Sequence, residues 1–188
     1  MRLREQNAAL IIIDMQKGFN DENYWGGNRN NKDAELKIAE ILEKWRFLKL
    51  PIFHIVHSSI HLNSKLHESN PGFEIKDEVK PMEGETVIVK NVNSAFIGTD
   101  LKERLDNQKI NKLVFVGLTS NHCVSTTARM AANLGFDNLV ISDATATFDR
   151  IGINGENFDS ELIHQISLAS LNNEFAQIVN TEKLFDLV

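Results

Sequence analysis

The run Ala8-Ala-Leu-Ile-Ile-Ile13 constrains the fold more than any other stretch. A strand with one solvated face alternates apolar and polar residues, and this run does not. Six consecutive apolar residues fit a strand buried on both faces, as in a parallel sheet covered by helices. Further strand-like runs fall at 51–56, 86–89, 113–116, 138–141 and 175–179. Between them lie segments with helical character. From Asp33, the apolar residues Leu36, Ile38, Ala39, Ile41, Leu42, Trp45 and Leu48 follow helical spacing. A second helix begins near Thr99, with Leu101 and Leu105 on its inner face. An Ala-rich third follows Cys123 and closes at Gly135, and a fourth covers 159–172. A short tail follows residue 179. The β-α-β-α alternation predicts an α/β fold: a single-domain, three-layer α/β/α unit with a mostly parallel sheet of about six strands and Rossmann-like topology. The 188 residues suit one domain, 1–188, with no repeat and no dividing linker.

The charge pattern narrows the function classes. The formal net charge is −6, and no Lys/Arg block interrupts the interspersed charges, which excludes a nucleic-acid partner. A single cysteine cannot form an intrachain disulfide, so nothing marks a secreted, stapled scaffold. The run at 8–13 is too short to span a bilayer, and Glu5, Gln6 and Asn7 spoil it as a signal peptide. These features read as a cytoplasmic protein with no membrane partner. No strand leads into a Gly-x-Gly-x-x-Gly turn, and Gly26-Gly27 has no P-loop lysine, so no nucleotide cofactor is expected.

The chemistry-bearing residues cluster at strand ends. Asp14, Lys90 and Cys123 each follow the last apolar residue of a strand, directly or after a short turn. Open α/β sheets bind ligands outside the carboxyl ends of their strands, so all three belong to one rim. Singly, Asp14 reads equally as a helix cap, Lys90 as a solvated lysine and Cys123 as a small buried hydrophobe. Together they suggest a reactive site. Thr119, Ser120 and Asn121 are helix-capping types, which puts Cys123 at a helix mouth. There, free N–H groups and the helix dipole favour its thiolate and rapid alkylation near neutral pH. His122 is next to the cysteine, but helical neighbours diverge by about 100°. It reads as a pocket wall or surface residue. The polar loop 18–33 carries Phe19, Tyr24 and Trp25, either as a lid or pocket wall or as a satellite cluster under the loop.

Ile13-Asp14-Met15-Gln16 with Phe19, Lys90 with Ser94-Ala95-Phe96, Gly117 through Val124, Thr127-Ala128 and Ser142-Asp143-Ala144 together carry a resemblance. The chain resembles the isochorismatase-like cysteine hydrolase superfamily, which includes nicotinamidases, N-carbamoylsarcosine amidohydrolase and ureidoacrylate amidohydrolases. The match runs from about residue 7 to 182. It implies a catalytic triad of Asp14, Lys90 and Cys123. It also implies a cis peptide at Leu118–Thr119 and an oxyanion hole from the backbone N–H groups of Thr119 and Cys123. The implied activity is cleavage of a C–N bond in a small amide, ureido or carbamoyl compound through a cysteine thioester. The alternatives are isochorismate-type vinyl ether hydrolysis, whose practitioners lack the cysteine, and a catalytically silent binding protein on the same fold. Nicotinamidases hold a metal on an Asp-x-His element after the second strand. Here that segment reads His57-Ser-Ser-Ile-His61, without the aspartate, so no metal and no other cofactor is expected. His54 and His57 lie on opposite sides of a strand; His54 reads as a buried, satisfied ring and His57 as a pocket residue. The pocket lining is expected from Phe19, Trp25, His57, Phe96 and His122. The resemblance further implies a homo-oligomer, dimer or tetramer, acting on a small-molecule substrate.

Overall fold

The computed structural model describes residues 2–188. In chain order they form β1 (Ala9–Ile13), α1 (Glu22–Trp25), α2 (Ala34–Leu48), β2 (Ile52–His57), β3 (Thr86–Lys90), α3 (Leu101–Asn107) and β4 (Lys112–Leu118). Then come α4 (Ser125–Asn133), β5 (Asp137–Ala146), β6 (Arg150–Ile151), β7 (Asn157–Phe158), α5 (Ser160–Leu171), β8 (Gln177–Val179) and α6 (Thr181–Leu187). Six strands make one sheet in the order β3-β2-β1-β4-β5-β8. All of its pairings are parallel, so the sheet is wholly rather than mostly parallel.

The unalternating run explains itself by position. Strand β1 is central, and its residues pack alternately into two cores. Leu10 and Ile12 meet Ile38, Ile41, Leu42 and Trp45 of α2 and Leu184 of α6. Ala9, Ile11 and Ile13 face Leu101 and Leu105 of α3, Ala128 and Ala131 of α4, and Leu168 and Leu171 of α5. Each fully buried Ile or Leu contributes on the order of 2 kcal/mol from removed apolar surface. The Trp45 indole N–H donates to the Ala8 carbonyl at 2.9 Å, which satisfies the polar atom of this buried ring.

Gly117 lets β4 approach β1. Its φ is +114°, and a Cβ there would lie 2.0 Å from the Ile13 carbonyl oxygen. Any side chain would therefore push apart the two strands whose ends carry Asp14 and the turn to Cys123.

Two expectations change. Leu36 is exposed, and Glu35 is buried in its place because Arg29 and Lys76 pair with its carboxylate, each at 2.6 Å. The tail after residue 179 is helix α6, whose N-cap Asn180 side chain accepts from the Lys183 N–H. The loop at 149–158 contains a small antiparallel hairpin, β6 with β7. Among the described residues, no helix is long and apolar enough to cross a membrane.

Candidate active site

The sheet order sets the problem that the side chains solve. Strands β1 and β4 are neighbours, but β3 lies beyond β2. Adjacent strands are about 4.8 Å apart, so a group on β3 must reach past β2 to meet the end of β1. Lys90, the last residue of β3, has the length to do so. Its Nζ lies 2.8 Å from Asp14 Oδ2, 3.1 Å from His57 Nδ1 and 3.3 Å from Cys123 Sγ. The side chains of Lys90 and Asp14 are fully buried. The structure thus brings together the three residues singled out at the strand ends, with His57 beside them.

Asp14 follows β1 in a left-handed conformation, φ 50°, and its N–H donates to the Ile55 carbonyl. Lys90 occupies its Oδ2. Its Oδ1 is buried and has no hydrogen-bond partner. Donor atoms of Asp14, His57 and Cys123 lie within 4.8 Å of one another. An unpartnered carboxylate oxygen in a buried site is costly unless a proton arrives there.

Cys123 sits in a π-helical turn, Ser120–Val124, just before α4. The preceding polar residues do not cap. Ser120 Oγ lies 2.7 Å from His164 Nδ1, and Asn121 Oδ1 accepts from the Thr147 hydroxyl at 2.6 Å. These side chains tie the turn to α5 and to the chain after β5. The expectation of a favoured thiolate is also corrected. Burial and the Asp14 charge push the thiol up, and together they outweigh Lys90. Both effects favour the thiol over the thiolate. For His57, burial and then the Lys90 charge hold the ring below the ordinary histidine value. Lysine can only donate, so Nδ1 of the neutral ring accepts and Nε2 carries the proton.

The motif residues around the triad positions act as framework. The buried Gln16 side chain accepts from the His57 N–H at 2.9 Å and donates to the His57 and Phe73 carbonyls. Thr127 Oγ1 accepts from the Ala95 N–H and donates to the Asn93 carbonyl. The Leu118–Thr119 peptide is cis.

A cavity of about 380 Å³ opens on this cluster. Asp14, Phe19, Trp25, His57, Thr119, His122 and Cys123 line it, as do Tyr24, His61, Asn93 and Arg150. The loop aromatics are both wall and core: the Phe19 ring packs 4.6 Å from Trp25 and 6.0 Å from Phe148. The Trp25 indole donates to the Gly18 carbonyl at 2.8 Å. His122 is an exposed rim residue. Phe96 is placed elsewhere, stacked on Phe136 at 5.8 Å and outside the cavity lining. His54 is half satisfied: Nε2 meets Glu85 at 2.8 Å, while Nδ1 is buried without a partner. Asn93 could have been suspected from its place three residues after Lys90. Arg150 had no sequence signal, because only the β6–β7 hairpin brings it to the cavity.

A divalent metal does not fit among these groups. Asp14, His57 and Cys123 offer three donor atoms, but the Lys90 amine stands between them at 2.8–3.3 Å. A cation there would meet like charge and compete for the same lone pairs.

Residues 8–183 match the isochorismatase domain family. The chain is 49% identical over 182 residues to the uncharacterized isochorismatase family protein YrdC of Bacillus subtilis, covering 97% of this chain and 96% of that one. It is 29% identical to nicotinamidase 3 of Arabidopsis thaliana, over 97% of this chain and 91% of that one. Against ureidoacrylate amidohydrolase RutB of Klebsiella pneumoniae the identity is 37%, over 73% and 53%. The crystal structure of an isochorismatase-family protein from Chromobacterium violaceum superposes with a TM-score of 0.93 at 38% identity, covering 100% of this chain and 96% of that one.

Proposed function

The chain belongs to the isochorismatase family, and from that premise we propose that it is a cysteine hydrolase cleaving a C–N bond of a small amide, ureido or carbamoyl compound. The observation that carries this reading is the unpartnered Asp14 Oδ1, in a cluster where the donor atoms of Asp14 and the buried Cys123 lie within 4.8 Å of one another. Relatives named nicotinamidase and ureidoacrylate amidohydrolase support a C–N bond as the target.

In this reading Asp14 takes the Cys123 proton as sulfur attacks the carbonyl carbon, so charge develops on the substrate oxygen rather than resting on sulfur. The backbone N–H groups of Thr119 and Cys123 receive that oxygen. Asp14 then returns the proton to the departing nitrogen, and the C–N bond breaks to leave a thioester. A water, deprotonated by Asp14, attacks the thioester; the carboxylate product leaves and the thiol is restored. Lys90 holds Asp14 in place through Oδ2, leaving Oδ1 for the proton, and balances the negative charge as it passes between sulfur, carboxylate and oxyanion. The whole chain, 1–188, acts as one such hydrolase domain. We read it as a cytoplasmic homo-oligomer, dimer or tetramer, a state that light scattering on the purified protein would measure.

The test is a screen for ammonia release and carboxylate formation over a panel of small amides, ureido compounds and vinyl ethers. Turnover confined to C–N substrates and abolished in Cys123→Ala supports the reading. Turnover confined to vinyl ethers, or retained by Cys123→Ala, overturns it.

A further inference from the structure

Behind the turn that carries Cys123 lies a buried polar group that the proposed chemistry leaves unused. Ser120 opens the π-helical turn Ser120–Val124 and is fully buried, and His164 of α5 is 2% exposed. Ser120 Oγ lies 2.7 Å from His164 Nδ1. On the far side of the ring, Nε2 faces the Asn31 amide nitrogen at 3.5 Å. Both Asn31 N–H bonds are committed, to the Ser142 carbonyl at 2.9 Å and to the Thr145 carbonyl at 2.7 Å. Burial holds the His164 ring below the ordinary histidine value, against the Glu161 charge and a hydrogen bond with the Ser142 backbone, so the ring is neutral. Its one proton therefore belongs on Nε2, toward the Ser142 carbonyl, and Nδ1 accepts the Ser120 hydroxyl proton.

The turn needs such an anchor. Its backbone bonds are internal: the His122 and Val124 N–H groups donate to the Thr119 carbonyl, and the Ser125 N–H to the Ser120 and His122 carbonyls. A turn closed on itself can shift as a unit. Ser120 ties it to α5 through His164, and Asn121 ties it to the Thr147 hydroxyl. Ser120 directly follows Thr119 and precedes Cys123 by three residues, so its anchor acts on both N–H groups that the proposed mechanism aims at the substrate oxygen. A buried Ser–His pair adds little net stability, and two apolar side chains of the same shape would hold the elements together as well. What the pair adds is one fixed orientation, because hydroxyl, ring and Asn31 amide each determine the direction of the next.

We propose that His164 is a positioning residue: by accepting the Ser120 hydroxyl proton, it sets the Ser120–Val124 turn so that the Thr119 and Cys123 N–H groups meet the oxygen of the tetrahedral intermediate. This rests on the hydrolase reading for the place of the oxyanion, but it applies to attack by Cys123 on any carbonyl. Loosening the turn without removing a donor corresponds to a loss of about 10- to 100-fold in acyl transfer, somewhat less than the loss of one oxyanion donor.

The experiment compares two reactions of Cys123 in the full chain. Iodoacetamide alkylates sulfur at a saturated carbon and forms no oxyanion. p-Nitrophenyl acetate acetylates it through one: the S–C bond forms, the ester C–O bond breaks, p-nitrophenolate leaves and Asp14 takes the thiol proton. Alkylation is read by intact mass, and acetylation by p-nitrophenolate release above that of Cys123→Ala. His164→Leu should slow acetylation by about 10- to 100-fold and leave alkylation within about 3-fold of wild type. His164→Asn, whose Oδ1 takes the place of Nδ1, should recover most of the loss. Ser120→Ala removes the same bond with little change of volume; its loss should match that of His164→Leu, and the double variant should lose no more. On an amide that the enzyme turns over, the loss should fall on kcat and not on KM. An equal fall in both reactions would mean that the pair only holds the thiol in place, and would overturn the proposal. So would additive losses in the double variant, or a His164→Asn protein no faster than His164→Leu. Selective loss of acetylation in a protein that cleaves no amide would uphold the positioning role and count against the hydrolase reading. Unchanged acetylation in Ser120→Ala would overturn the role whatever the amide result.

Discussion

Replacing Asp14 with asparagine should make Cys123 more reactive toward an alkylating agent and less able to turn over substrate. The side chain keeps its size, but the negative charge beside sulfur disappears. Asp14 and Cys123 donor atoms lie within 4.8 Å of one another. At that distance and an effective dielectric constant of about 20, the repulsion between carboxylate and thiolate is about 3.5 kcal/mol, or roughly 300-fold in thiolate population. In Asp14→Asn the thiolate becomes the one anion within reach of Lys90 Nζ, at 3.3 Å. Burial still opposes ionisation, so part of the gain is lost; an acceleration of at least about 10-fold is expected. The assay is the rate of carbamidomethylation by iodoacetamide at pH 7, followed by intact mass and referenced to the unfolded protein. Steady-state amide hydrolysis by the same sample should fall by about 100- to 10,000-fold, the range for loss of a general base. A folded Asp14→Asn protein that labels no faster than wild type would show that the Asp14 charge does not hold the thiol protonated.

Gly117→Ala should destabilise the fold by about 3 kcal/mol or more, because its Cβ meets the Ile13 carbonyl oxygen at a φ that disfavours alanine; an unchanged denaturation midpoint would contradict this. Burial opposes ionisation of Glu35, but the Arg29 and Lys76 hydrogen bonds overcome it and hold the carboxyl at about 2. Glu85, likewise opposed by burial, is held at about 2 by Arg46, the Met82 N–H and His54. Both folded values lie below the ordinary 4.5, so each carboxylate contributes on the order of 3 kcal/mol that is present above about pH 4.5 and lost as pH falls toward 2. Urea denaturation of Glu35→Gln between pH 6 and 3 should show a shallower loss than wild type, and an equal slope would rule Glu35 out as a cause. Because Lys90 occupies the space among the donor atoms, exhaustive chelation should leave amide hydrolysis intact; loss of activity restored by added zinc would contradict that placement.

The sheet was legible because β1 lies at its centre, where a strand has no solvated face to mark with polar residues. The triad positions were legible for a related reason: parallel strands deliver the residues after their carboxyl ends to one rim, whatever their separation in sequence. Helix α6 was not, since its seven residues bury only Thr181 and Leu184 and show too little periodicity. The buried Glu35 could not be read from helical spacing, because its partners Arg29 and Lys76 come from outside the helix. The thiol was misjudged for the same reason. Local sequence supplies the turn and its N–H groups, but the charge that decides protonation comes from Asp14, more than a hundred residues away. Phe96 followed the motif into the pocket on paper; in three dimensions its ring turns to Phe136. Arg150 depends on a hairpin of two-residue strands that leaves almost no pattern.

Cys123 should become acylated during turnover. Acid-quenched intact mass spectrometry of the protein, mixed with an amide that it hydrolyses, reads this directly. An added mass equal to the acyl group is expected, mapped to the peptide containing Cys123, which forms and decays with turnover and is absent in Cys123→Ala. Ammonia release with no acyl adduct at any quench time, continuing in Cys123→Ala, would contradict it.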